Sequence, residues 1–181
     1  MTVLITLAAV VALWLLARRR FGFAAQSVAD YVGTRPVFDI RRQLSGPIVS
    51  EGVIFGPTGR VTARFVAEMR GEWSGDSGTL QERFRYASGG TQERKWHLEM
   101  TGEGRFSATA DDIIGTGSGE QRDGVVRLRY RIRLPQEAGG HVLDVIDWLY
   151  LMENGNIMNR SEMRKFGIKV AELIATMRPV A

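Results

Sequence analysis

The sequence predicts an all-β fold: an antiparallel up-and-down barrel of about 8 to 10 strands, preceded by one amino-terminal membrane helix. Three observations lead there. Residues 2 to 17 are uncharged and apolar and run directly into Arg18, Arg19 and Arg20. From residue 46 onward, apolar and polar residues alternate with period two, which is the signature of half-buried strands. Turn chemistry interrupts that alternation at short intervals, as hairpins require.

The apolar run TVLITLAAVVALWLLA contains nine Leu, Val or Ile. At roughly −0.3 to −0.6 kcal/mol each, these contribute about −4 kcal/mol toward insertion. As a helix the run is roughly 24 Å long, slightly short of a hydrocarbon core of about 30 Å, and snorkelling of Arg18 with Trp14 near the boundary covers the difference. A cleaved signal peptide would carry its positive charge before the apolar run, whereas here the triplet follows it. A small-residue pattern at Ser27-Val28-Ala29 lies well beyond the run, so the segment reads as an uncleaved anchor. This gives an anchor helix with a basic flank over residues 1–20, a juxtamembrane linker over 21–36 and a barrel domain over 37–181. In the linker, Phe21, Phe23 and Tyr31 suit either the lipid interface or ordinary packing.

Within the body, "RVTARFVAEMRGEW" places Ala63, Phe65, Ala67, Met69 and Trp73 on one face and Arg64, Glu68 and Arg70 on the other. "KWHLEM" does the same with Trp96, Leu98 and Met100, and "FSATA" with Phe106, Ala108 and Ala110. The sharpest case is "VVRLRYRIRL", in which Val126, Leu128, Tyr130, Ile132 and Leu134 oppose Arg127, Arg129, Arg131 and Arg133. Between the runs lie Gly56-Pro57-Thr58-Gly59, Ser74-Gly75-Asp76, Ser88-Gly89-Gly90, Gly102-Glu103-Gly104, Arg122-Asp123-Gly124, Ala138-Gly139-Gly140 and Asn154-Gly155. Closing such a meander removes its exposed edges. The one helical turn expected after the anchor lies near "FDIRRQL".

Turn identity fixes an expected register. A two-residue turn at Pro57-Thr58 sets Ile54 opposite Val61 and Ser50 opposite Phe65. A two-residue Asn154-Gly155 turn sets Tyr150 opposite Asn159, Trp148 opposite Ser161 and Asp144 opposite Lys165. The inner face of that hairpin is then Ile146, Trp148, Tyr150 and Met152 with Ile157, Asn159, Ser161 and Met163. Polar groups so placed must bond one another, water or a ligand, since each left unpaired costs about 1 to 3 kcal/mol. They form either a satisfied internal network or the polar spots of a lumen. On the second reading, Trp148, Tyr150, Asn159, Ser161, Trp96, Tyr130, Asp144 and Lys165 are the candidate ligand-binding residues, with Phe65 and Phe84 beside them.

Composition limits the chemistry. The chain has 181 residues, no cysteine and a net charge of +4, so thiol catalysis, thiolate metal sites and disulfides are excluded. Three of the charges belong to the Arg18–Arg20 triplet, and the nearly neutral remainder argues against nucleic-acid binding. By parity His97 lies on the outer face, and His141 follows a glycine turn. No His/Asp/Glu cluster has metal-ligand spacing, and Asp111-Asp112 reads as a solvated turn. Gly115-Thr-Gly-Ser-Gly119 lacks the lysine and helix of a phosphate loop and reads as a glycine-rich strand. No catalytic residue and no cofactor is assigned.

At "GVIFGPTGRVTARFVAEMRGEW", "GTLQERFRY" and "DWLYLMENGNIMNRSEMRKFGIKV" the chain resembles the bacterial family known as domain of unknown function 3833, over roughly residues 37 to 178. The Asp-Trp-Leu-Tyr run, the Asn159-Arg160 pair and Met163…Lys165-Phe166-Gly167 occur in the order the family shows. The resemblance implies a lipocalin-like barrel held on the periplasmic face, and a link to membrane lipid modification. Many members look like lipoproteins; this chain departs from them in having no cysteine, and the helix at 2–17 would replace the lipid.

Residues and resemblance together lead to an expected function. The protein should be a single-pass inner-membrane protein whose barrel binds or carries a lipid or other apolar small molecule. The positive-inside rule sets the barrel in the cytoplasm through Arg18 to Arg20, whereas the resemblance sets it in the periplasm. Two alternatives stand beside the carrier. One is an enzyme on lipid substrates using Asp144 and Lys165 as an acid/base pair. The other is a structural partner of a membrane complex, presenting Arg129 and Arg131; the sequence names no protein partner.

Overall fold

The computed structural model describes residues 20–180 without a break and, ahead of them, residues 5–7, 9, 10, 13 and 16. Ten strands follow one another: β1 (Gly46–Phe55), β2 (Val61–Ser74), β3 (Ser77–Tyr86), β4 (Thr91–Gly102), β5 (Arg105–Thr109), β6 (Gly117–Arg122), β7 (Val125–Arg133), β8 (Val142–Leu151), β9 (Ile157–Lys165) and β10 (Ile168–Pro179). Each pairs antiparallel with the next, and β10 returns to β1 from Ile48↔Pro179 to Phe55↔Glu172, closing the barrel. Every described strand thus has a neighbour on both sides, although β4 meets β5 only from His97 to Gly102.

Alternate connections share an end. At one end the chain enters through α1 (Ile40–Gln43), whose first turn is capped by Asp39 Oδ1 accepting from Arg41 N at 3.1 Å. Phe38, Ile40 and Leu44 are buried there. They are fixed by Phe38 N donating to Asp123 O at 2.6 Å and by Trp73 Nε1 donating to Leu44 O at 3.0 Å. This apolar turn is the floor of the barrel. The opposite end carries the β3–β4, β7–β8 and β9–β10 connections.

Two hairpin registers differ from expectation, with unequal consequences. In β1–β2 the chain adds residues before pairing resumes: Gly56 N donates to Arg60 O at 2.9 Å, and a bulge at Phe55 sets Ile54 opposite Ala63 and Ser50 opposite Ala67. That slip is of two residues, so every side chain keeps its face. In β8–β9 the turn is a three-residue loop, Glu153-Asn154-Gly155, with Met152 N donating to Asn156 O at 2.8 Å and Gly155 left-handed at φ 82°. Leu151 therefore opposes Ile157, Leu149 opposes Asn159 and Asp147 opposes Ser161. A slip of one residue exchanges the two faces of β8. Val145, Asp147 and Leu149 point into the barrel, and Ile146, Trp148 and Tyr150 point out of it.

The outward residues are nevertheless covered. Residues 21–36, with 3-10 turns at Phe23–Ala25 and Val28–Tyr31, lie along the wall as a strap. Phe23, Val28 and Tyr31 pack on Val125, Ile146, Trp148 and Tyr150, and Trp148 is 0% exposed. The second turn is held by a capping box in which Ser27 Oγ accepts from Ala29 N at 3.3 Å and Asp30 Oδ2 from Ser27 N at 2.8 Å. Gly33 N donates to Asp123 Oδ2 at 2.9 Å, tying the strap to the β6–β7 turn. Of the linker aromatics, Phe23 and Tyr31 thus serve packing, while Phe21 stays exposed.

The anchor expected over residues 2–17 falls mostly outside the described residues, as do Arg18 and Arg19. Among the described residues no helix is long and apolar enough to cross a membrane. Ile5, Leu7, Val10, Leu13 and Leu16 are helical and exposed.

Candidate functional site

Inward parity brings together the side chains that line the lumen. From β2 to β4 these are Phe65, Phe84, Tyr86 and Trp96; from β7, Val126, Leu128, Tyr130 and Ile132; from β8 to β10, Leu149, Met163 and Leu173. They enclose a cavity of about 580 Å³ that runs from Ile40 and Leu44 on the floor to Gly90, Pro135, Glu137 and Ala138 at the opposite end. The glycine-rich stretch shapes the wall: a Cβ on Gly119 would lie 2.1 Å from Phe106 Cζ, so β6 must be bare where that ring lies across it. Apolar linings of this kind and volume are typical of small-molecule sites.

Into this lining project Glu82 from β3, Arg94 from β4 and Asp147 from β8, together with Ser50, Asn159 and Ser161. Arg94 is the hub. Its Nε and Nη2 donate to Asp112, the latter at 2.7 Å to Oδ2, and its Nη1 lies 3.8 Å from Glu82 Oε2. The guanidinium also stacks over the Trp96 ring at 5.5 Å, and Trp96 Nε1 donates to Glu82 Oε2 at 3.2 Å. Asp112, expected in a solvated turn, instead folds over the end of the barrel to reach Arg94, and its side chain is only 25% exposed.

Electrostatics here are those of charge held away from water. Burial pushes Glu82 up to about 7, against the pull of Arg94 and the Trp96 hydrogen bond. Burial likewise pushes Asp147 up to about 6, with the Ser161 and Tyr130 hydroxyls and Arg94 opposing it. Tyr130 is raised well above a normal phenol by burial and by the Asp147 charge. Burial works against the charge on Arg94, but Tyr130, Glu82 and Asp112 outweigh it and its pKa is raised. Asp147 Oδ1 is buried with no hydrogen-bond partner.

Four of the residues expected to line the lumen do so: Trp96, Tyr130, Asn159 and Ser161. Asn159 Nδ2 donates to Trp148 O at 3.2 Å, and Ser161 Oγ donates to Asn159 Oδ1 at 3.4 Å. Trp148 and Tyr150 were expected inside and lie outside under the strap, where Tyr150 Oη donates to Gln26 Oε1 at 3.1 Å; the longer β8–β9 loop is the cause. The expected Asp144/Lys165 pair does not form. Asp144 faces outward, 3.6 Å from Arg131 Nε, and Lys165 Nζ lies 2.9 Å from His141 Nδ1.

Glu82, Arg94, Asp112 and Asp147 were missed. For two of them the signal was present. Glu82 stands in the apolar parity Leu80-Glu82-Phe84, and Arg94 in Arg94-Trp96-Leu98, so a charge at a lumen position was readable from alternation alone. Asp147 was hidden by the register slip.

The barrel is similar to two solved structures. One is that of Rv2717c from M. tuberculosis, 17% identical with a TM-score of 0.52, covering 77% of this chain and 94% of that one. The other is the S-type phycobiliprotein lyase CPES from Guillardia theta, 10% identical with a TM-score of 0.57, covering 86% and 94%. At these identities the likeness is one of fold, that of a lipocalin-like barrel. No curated protein matches the chain. Residues 19–179 match the family described as "Protein of unknown function (DUF3833)", and with nearly its whole length inside that match the chain belongs to this family.

Proposed function

We propose that this protein binds and carries a lipid-like apolar small molecule in its barrel, at a membrane to which residues 2–17 tether it. One observation carries the reading: a lumen of about 580 Å³, aromatic and aliphatic over most of its wall, with a few polar groups gathered around Arg94 and Asp147. A barrel built only for stability would fill this space, because an unfilled apolar volume of that size is destabilising.

The membrane part rests on the sequence of residues 2–17 and on one further feature. The β9–β10 turn, at the end opposite the floor, exposes Phe166 by 91% and Ile168 by 65%, with Lys165 and Lys169 beside them. Apolar side chains in water flanked by cations suit a bilayer headgroup region. The family resemblance favours the periplasmic face of the inner membrane. Asp144 and Lys165 do not meet, so no acid/base role is proposed for them.

Native mass spectrometry of the full chain, transferred from membranes into an amphipathic polymer without detergent, tests the reading. A bound small molecule of defined mass, lost when Leu128→Trp and Met163→Trp fill the lumen, is the expected result. Repeated recovery of an empty barrel that takes up no added lipid would overturn it.

A further inference from the structure

Building on the carrier reading, we infer that the ligand enters head-inward and that its head is a hydrogen-bond donor, an ammonium or other N–H-bearing group, seated between Asp147 and Glu82. A fatty-acid carboxylate would not fit there.

Arg94 is the lumen's single cation among the described lining residues, and three carboxyl groups, Glu82, Asp112 and Asp147, face it. Asp112 occupies the guanidinium Nε and Nη2 edge, and Glu82 takes the remaining side. An incoming anion would have to displace a carboxylate already in place. The excess in the lumen is of acceptors, and an ion buried without compensation costs several kcal/mol.

Asp147 Oδ1 is buried with no hydrogen bond of its own on the cavity wall beside Asn159, although the Tyr130 and Ser161 hydroxyls stand near enough to favour the carboxylate. Buried polar atoms are nearly always satisfied, so an acceptor left open on a cavity wall marks where a donor belongs. Burial also raises both Asp147 and Glu82, because the one cation beside them, Arg94, is shared with Asp112.

Three probes with one chain and three heads test this: octylamine, octanol and octanoate. Each is titrated calorimetrically at neutral pH into the full chain held in amphipathic polymer, with protein-free polymer as the blank. Octylamine should bind at least about tenfold more tightly than octanoate, the scale of one buried charge pair. Asp147→Asn and Glu82→Gln should each erase most of that preference, with a circular dichroism spectrum unchanged from the parent showing that the barrel is intact. Octanol binding with octanoate equal to or tighter than octylamine, or an amine preference untouched by both substitutions, would overturn the head-group assignment and leave the carrier reading standing. Failure of all three probes to bind would remove both.

Discussion

Trp148 and Tyr31 meet outside the barrel, ring centroids 5.4 Å apart and tilted by 47°. The contact gives the outer face of β8 an apolar partner and fastens residues 21–36 to the domain. Arg127 lies over the same indole at 5.8 Å, and Arg160 over Phe23 at 4.5 Å, so cations from β7 and β9 close the edges of the cluster. The strap is therefore part of the folded body.

Phe23→Ala should accordingly destabilise the chain by about 3 kcal/mol, the usual cost of removing a buried ring. Urea denaturation followed by tryptophan fluorescence measures it. A loss below about 0.5 kcal/mol, the scale of a surface change, would mean that the strap is only loosely attached.

The outward Trp148 also shows what could be read beforehand and what could not. β7 has arginines on one parity and apolar residues on the other, and its faces were plain in the sequence. β8 reads VLDVIDWLYL, apolar on both parities, so alternation could not choose between its faces, and an assumed two-residue turn chose wrongly. Such a run marks a strand buried on both sides, which pointed to a covering segment. Glu82 and Arg94 broke an apolar parity already identified around Trp96, and their interior position was legible. The convergence of Asp112 on Arg94 was not, because a loop conformation brings it there.

Arg94 is the cation that Glu82 and Asp112 share, and removing it should be costly. Arg94→Met leaves Glu82 and Asp112 without their cation, and a loss of about 3 to 5 kcal/mol is expected. Glu82→Gln on that background should recover part of the loss, giving a coupling of at least about 1 kcal/mol in a double-mutant cycle. Additive effects in chemical denaturation would contradict the ion-pair geometry.

The raised carboxyls make stability depend on pH with a definite sign. Asp147 moves from 3.8 to about 6 on folding and Glu82 from 4.5 to about 7, so between roughly pH 4 and pH 7 the folded state holds more protons than the unfolded chain. Stability contributed by these groups is greatest at the acid end of that window and falls as pH rises through it. Asp147→Asn removes its share of the penalty. The unliganded variant should gain about 3 kcal/mol over the parent at pH 8 and only about 1 kcal/mol at pH 4.5. A gap between the two proteins that does not widen with pH would show that Asp147 is not held in a raised state.

The β9–β10 turn offers a test of the proposed membrane contact that leaves the lumen untouched. Phe166 is left-handed at φ 52°, an unfavourable conformation for an aromatic residue, and its ring is 91% exposed. Phe166→Gly removes both the backbone strain and the exposed ring, so the fold should keep or slightly gain stability. Transfer of a fluorescent apolar probe from the barrel to vesicles containing anionic lipid should slow by about tenfold, since burying a phenyl ring contributes about 1.5 to 3 kcal/mol. Replacing Lys165 and Lys169 by Gln should slow transfer further, and only when the vesicles carry negative charge, because the basic flank acts through the surface potential. Unchanged transfer by the glycine variant would assign the exposed ring to some contact other than the bilayer.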